Sequence, residues 1–273
     1  MRSAGEPRRG ALRVVLVGTG TGVGKTHVAC ALLSCWSASA RVTGLKPIET
    51  GVRLEEPRRM EPRPSRNPPR SSEASDQGRL SAAAQMFHVK QSDQGRRNQQ
   101  SDQRRRKIDH EHPLQSLFAF PEPISPHLAA RKVGTRIDLG AIERWVKTHE
   151  APITVVETAG GLFSPLGHGV TNFELIQTLQ PDAVILVALD RLGVLHELTT
   201  TLALAAARGG SSVGVVLSTP SKKDASTGRN APEIALLGIA RPIAVFPRAG
   251  AHAPATEDAA RQVIGWVEQN VKR

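Results

Sequence analysis

The sequence predicts an α/β fold, a doubly wound and mostly parallel sheet with helices on both faces. Short continuous β-branched runs alternate with apolar stripes of helical period, and a glycine-rich turn joins the first run to the first stripe. Strands covered on both faces of a parallel sheet read as unbroken apolar runs, which is the pattern found here.

Residues 12 to 17, LRVVLV, form the first such run. From Thr26 the sequence THVACALLSCWSAS sets Val28, Ala29, Leu32, Leu33 and Trp36 on one helical stripe. A second strand, Val42 to Lys46, is expected to end at Pro47, because a residue before proline is held extended. Further strands are expected at 153 to 157, 183 to 189, 213 to 217 and 243 to 246, with helices near 138 to 149, 171 to 179, 195 to 208 and 254 to 270. Ligands of such a sheet bind outside the carboxyl ends of its strands. Trp36, Trp145 and Trp266 fall on the apolar stripes and read as packing.

With 273 residues, 39% of them hydrophobic, the chain can build a sizeable core. A basic tail at 1–11 followed by one α/β domain over 12–273 is the expected organisation. The sequence holds no run of 18 apolar residues, and its basic start lacks the apolar centre of a secretory signal, so a soluble cytoplasmic protein without membrane contact is expected. Cys30 and Cys35 lie on one predicted helix and point in different directions, which argues against a disulfide, and the absence of a CxxC pair leaves a zinc site unsupported.

The net charge of +11 invites a nucleic-acid reading, but its distribution argues against one. Residues 1 to 13 hold four Arg against Glu6, and residues 53 to 112 hold runs such as Arg104, Arg105, Arg106 and Lys107; neither segment reads as folded core, and no aromatics interleave the basic runs. The stretches 53–73 and 89–112 are rich in Arg, Gln, Ser and Pro and are expected to be a disordered insertion. Within the insertion SDQGR occurs at 75 to 79 and 92 to 96, with SDQRR at 101 to 105. Only the first copy precedes a helical pattern, Leu80, Ala83, Ala84 and Phe87, for which Ser75 reads as the cap; Asp76 is therefore the copy expected to be held in place. His110 and His112 lie in the same insertion beside Pro113, a setting that does not favour metal binding.

The glycine-rich turn reads GTGTGVGKT from Gly18 to Thr26, with a strand before and a helix after, the context of a phosphate-binding P-loop. Its glycines let backbone N–H groups, those of Gly22, Val23 and Gly24 among them, converge on phosphate oxygens. The helix N-terminus adds a positive dipole, Lys25 bridges terminal phosphates, and the Thr26 hydroxyl suits magnesium. Five residues separate Gly18 from Gly24, one more than in the common P-loop, and no lysine occurs early in the loop, as it does in partition-type ATPases.

Blocks in order along the chain, GTGTGVGKT, GLKPIETG (44 to 51), EPISPHLAAR (122 to 131), VVETAGGLFSPL (155 to 166) and DRLGVLHE (190 to 197), resemble those of the dethiobiotin synthases, ligases of the P-loop NTPase superfamily. The resemblance implies ATP-dependent closure of the ureido ring of dethiobiotin from 7,8-diaminopelargonate and CO2, by way of a carbamate and a carbamic-phosphoric anhydride. It implies that Lys25 and Lys46 are catalytic, with Lys46 on the carbamate, and that Gly160 and Ser218 join the loop and Glu157 in binding ATP. Thr26, Asp76 and Glu157 would complete the magnesium shell. Thr50 would hydrogen-bond near the carbamate, and Gly193, Val194, Leu195 and His196 would meet the substrate carboxylate from a partner subunit, which makes a homodimer the expected assembly.

Independent chemistry agrees: magnesium takes oxygen ligands from one or two carboxylates plus phosphates, and cations at the sheet's edge offset repulsion between carbamate and γ-phosphate. The chain departs from the family at Gly20, where an Asp is usual, at Gly22, at His196 and at Ser218, where Asn residues are common. His127, in the SPH of the third block, fits either a structural role or a contact. Two other functions compete: a partition-type ATPase gripping DNA, and an amidoligase of the cobyrinic acid group, for whose glutaminase domain the chain has no room.

Overall fold

The first apolar run forms β1 (Leu12–Gly18), buried on both faces from Arg13 onward. Alternate β1 side chains enter opposite layers: Val14 and Leu16 join one core cluster, whereas Val15 and Val17 enter the clusters of the other face. The computed structural model describes residues 11–52, 116–210 and 212–271. The insertion, with Asp76, the repeats, the helix expected after Ser75, His110 and His112, lies outside the described residues, as does the tail through residue 10.

After β1 come α1 (Lys25–Trp36), β2 (Val42–Leu45), the short β3 (Ile48–Thr50) and β4 (Phe118–Phe120), α2 (Pro126–Lys132) and α3 (Leu139–Thr148). The chain continues through β5 (Ile153–Gly161), β6 (Pro165–Gly167), β7 (Val170–Thr171), α4 (Asn172–Leu179), β8 (Ala183–Leu189) and α5 (Val194–Ala207). It ends with β9 (Gly214–Ser218), α6 (Asn230–Leu236), β10 (Pro242–Phe246) and α7 (Pro254–Val271). Six strands form one sheet in the order β10-β9-β8-β1-β5-β2, and every pairing within it is parallel. The chain leaves β1 toward β2 at one edge, returns through β5, and crosses to β8, β9 and β10. Loops therefore diverge on either side of the carboxyl end of β1 and open a crevice there.

The expected doubly wound sheet is thus observed. α1 and α7 cover one face with Val28, Leu32, Trp36, Ala260 and Val263, while α2 to α6 cover the other. Trp36 is buried, and Trp145 and Trp266 pack partly buried against the core. Cys30 and Cys35 are free thiols on α1. Among the described residues no helix is long and apolar enough to cross a membrane.

Several expectations need correction. The strand expected to reach Lys46 stops at Leu45, so Lys46 stands just beyond the ladder, and the strand expected at 153 to 157 runs on to Gly161. Between Leu16 and Gly18 the pairing of β1 with β5 shifts register, and the Thr158 hydroxyl donates to Leu16 O at 3.2 Å inside that bulge. The bulge carries β5 past Glu157 to lie beneath the glycine-rich turn. α6 is a helix beyond those expected, with Pro232 at its third helical position, where its missing N–H would have had no helical partner.

Arg13 is the largest correction, since it was counted with a basic segment outside the core. It is instead among the largest fully buried side chains. Its guanidinium donates to Glu150 and to Leu179 O, while its backbone N–H donates to Asp182 Oδ2 at 2.7 Å. This pins the amino end of β1 to the segments entering β5 and β8. Truncating Arg13 deletes a fully buried side chain and leaves Leu179 O without that donor, losses that typically cost about 2–5 kcal/mol. Arg13→Ala is accordingly expected to lower stability by about that amount, read as a lower urea midpoint with unchanged slope.

Candidate active site

Gly18 ends β1, and its lack of a side chain is a steric requirement: a Cβ there would lie 2.7 Å from Gly20 O. The loop turns through Gly22 and Gly24 at φ 73° and 94°, conformations that glycine adopts without strain. Val23 between them buries its side chain in the core, so the turn is anchored while its backbone faces outward. Gly24 caps α1, and a Cβ on it would strike Ser218 Oγ at 2.4 Å. Ser218, at the end of β9, thus closes against the loop beside a cleft of about 460 Å³ lined by His27, Thr219, Arg248 and Gly250.

Three charged side chains from separate elements meet at the carboxyl end of β1. Glu157 projects from β5 and is 3% exposed. The Thr26 hydroxyl donates to its Oε1 at 2.8 Å, and Lys46 Nζ lies 3.6 Å from that oxygen. Its second oxygen, Oε2, is buried with no hydrogen-bond partner among the described residues. Lys25 folds back over the loop and donates to Gly20 O at 2.9 Å. Lys46 also pairs with Glu49 on β3 at 2.9 Å, and Ser116 donates to the other oxygen of Glu49 at 3.2 Å.

Burial lowers the Lys25 pKa to about 8, with Glu157 opposing the shift and Lys46 adding to it. Burial acts against the charge of Lys46 too, but Glu157 and Glu49 outweigh it and raise its pKa above the ordinary lysine value. Burial also raises the Glu157 pKa, a shift that Lys46, Thr26 and Lys25 restrain. An orphaned carboxylate oxygen beside a hydroxyl is a hard-oxygen donor pair that fits magnesium.

The other expected site residues stand around this centre. Gly160, at φ 76° near the end of β5, lies close to Thr21, and a Cβ on it would meet Ser164 Oγ at 2.6 Å. Thr50, half-buried, ends β3. Gly193 begins α5 at φ 95°, and Val194, Leu195 and His196 form its first turn. Of the N–H groups there, that of Val194 is already directed to Arg191 O and that of Glu197 to Gly193 O. Those of Leu195 and His196 have no backbone acceptor outside the helix among the described residues.

Sequence reasoning missed Glu49 and Glu197. The Thr19 hydroxyl donates to Glu197 at 2.9 Å, tying the first turn of α5 to the glycine-rich loop. Glu49 sits within the quoted KPIETG block, but only the fold brings Ser116 to it.

A glycine-rich turn between a buried strand and a helix, a lysine folded over it, and a hydroxyl–carboxylate pair at the edge of a parallel sheet define a P-loop nucleotide-binding protein. A family model described as an AAA domain matches residues 13–270. The ATP-dependent dethiobiotin synthetase BioD of Anaeromyxobacter dehalogenans (strain 2CP-1 / ATCC BAA-258) is 31% identical over 238 residues, 85% of this chain and 88% of its own. That of Nitrosospira multiformis is 34% identical over 197 residues, 71% of this chain and 70% of its own. A ParA family ATPase from Chlorobium tepidum aligns with a TM-score of 0.47 at 14% identity, over 96% of this chain and 97% of its own. The chain belongs to the dethiobiotin synthetase family.

Removing the Glu157 charge removes the influence that holds the Lys25 pKa up against burial. In nucleotide-free, metal-free protein, NMR titration of the Lys25 ammonium is expected to give a midpoint near 8, and Glu157→Gln is expected to move it lower.

Proposed function

We propose that this chain is an ATP-dependent dethiobiotin synthetase, a ligase that closes a ureido ring on 7,8-diaminopelargonate with CO2 and ATP. The observation that carries the reading is the convergence of Lys25, Lys46 and Glu157 at one sheet edge, together with membership of the family. A carbamate formed on one substrate amine pairs with Lys46, whose raised pKa keeps it charged. The loop N–H groups of Gly22, Val23 and Gly24, with Lys25, hold the phosphates in line with the carbamate oxygen. Gly160 flanks the phosphates, Ser218 borders the base cleft, and Thr50 supports the carbamate from β3.

Thr26 and Glu157, with Asp76 outside the described residues, would hold magnesium, which would supply positive charge against the phosphates. The second amine then displaces phosphate and closes the ring. Gly193, Leu195 and His196 at the start of α5 offer N–H groups to a carboxylate, with Val194 packing beneath them. In a homodimer this turn serves the partner's site, a reading supported by Leu192, which is 77% exposed beside it. The enzyme works in the cytoplasm.

Mass detection of dethiobiotin from 7,8-diaminopelargonate, bicarbonate and MgATP tests the proposal. Lys46→Ala is expected to lower kcat by at least about 100-fold, the scale of losing a transition-state charge partner, while ATP binding is retained. ATP turnover stimulated by DNA and indifferent to the diamine would favour the partition-type reading instead.

A further inference from the structure

Glu49 places a second carboxylate where the chemistry demands cations. It stands 2.9 Å from Lys46 Nζ, which lies 3.6 Å from Glu157. An anion so close to the carbamate and the γ-phosphate would only repel both, unless a cationic group of the substrate arrives with them. The carboxylate is held from two directions. Pro47, buried between Lys46 and β3, fixes the turn, and Ser116, just before β4, donates to its Oε2 at 3.2 Å. Its side chain is 24% exposed and that of Lys46 18%, so the pair is open to an incoming ligand and weak enough to exchange.

Resting on the dethiobiotin synthetase reading, we propose that Glu49 binds the second amine of the diamine and accepts its proton at ring closure. Without substrate, Glu49 occupies the place on Lys46 that the carbamate takes. When the carbamate arrives, Lys46 turns to it, and the released carboxylate receives the neighbouring ammonium, so two ion pairs replace one. At ring closure the amine nitrogen attacks the carbonyl carbon of the carbamic-phosphoric anhydride. A C–N bond forms, the C–O bond to the phosphoryl group breaks, and its electron pair leaves on inorganic phosphate. The nitrogen loses two protons through Glu49 to water, one from the ammonium before the attack, which frees its lone pair, and one as the C–N bond forms. The exchange explains why Ser116 fixes Oε2: that bond keeps the carboxylate in place after Lys46 has left it.

The test compares wild type with Glu49→Gln, an isostere whose carbonyl oxygen can accept from Lys46 while its amide N–H donates to the Ser116 hydroxyl. Product is measured by mass, with KM for the diamine and for ATP determined separately. The expected result is a diamine KM raised about tenfold, an ATP KM unchanged, and kcat lowered about 100-fold, the lower range for a lost proton acceptor. Binding of monoamine analogues, each lacking one of the two amines, supplies a second readout. Glu49→Gln should weaken the diamine and one analogue, and leave the other analogue unaffected. A wild type that makes no dethiobiotin overturns the enzyme assignment together with this role. An active wild type with Glu49→Gln at the same kcat, or with a lower diamine KM, overturns the role alone and leaves Glu49 as a resting counter-ion of Lys46.

Discussion

The site is organised around one buried carboxylate. Burial penalises the charge of Glu157, and only the groups gathered on it offset that penalty: Thr26 donates to it, and Lys46 and Lys25 lie in its field. Each partner comes from a different stretch of chain, Thr26 from the first turn of α1, Lys46 from just beyond β2 and Glu157 from β5. The parallel order β1-β5-β2 is what brings those ends side by side. A slip of one residue in the β1–β5 register would turn Glu157 to the opposite face, into apolar core that has no partner for it.

The glycine-rich loop depends on the same strand. Past Glu157, the bulge lets β5 pass under the loop so closely that a Cβ on Gly161 would lie 2.8 Å from Thr19 O. Asn172, fully buried at the start of α4, donates to Ala159 O and Gly161 O and holds this extension in place. Thr19 then reaches in the other direction to Glu197 on α5. The phosphate loop is therefore braced from β5 on one side and α5 on the other, and its rigidity comes from these neighbours as well as from its own sequence. An anion site built of backbone N–H groups needs such bracing, because its selectivity lies in donors that do not have to reorganise.

What could be read from the sequence was what depends on short range. The strand, turn and helix of the phosphate loop are contiguous, their physics is local, and the six main strands declared themselves as apolar runs. Glu157 and Lys46 were legible because a strand end in a parallel sheet already specifies the edge at which its last side chains stand. Arg13 was not, because charge was counted along the chain, whereas its partner Glu150 lies 137 positions away. Glu197 and Glu49 escaped for the same reason, with Thr19 178 positions from the first and Ser116 67 from the second.

The departures at Gly20 and Gly22 have a physical consequence for Lys25. With no carboxylate on the loop to pair with it, its ammonium rests on the carbonyl of Gly20, a neutral partner, and burial leaves its pKa near 8. A carbonyl is a weaker competitor than a carboxylate for an arriving phosphate, so under the proposed function the lysine would transfer to the nucleotide without breaking an ion pair. The transfer also changes its protonation. A phosphate brought to the ammonium favours the charged form and raises the pKa, so near pH 8 nucleotide binding draws a proton onto Lys25. At that pH the lysine is of divided charge, and in the proposed complex the ligand itself would complete the cation that binds it. Lys46, paired with Glu49 and Glu157, is already fully charged before any anion arrives. Lys46 is therefore charged in advance by the protein, whereas under the proposed function Lys25 would be charged by the nucleotide.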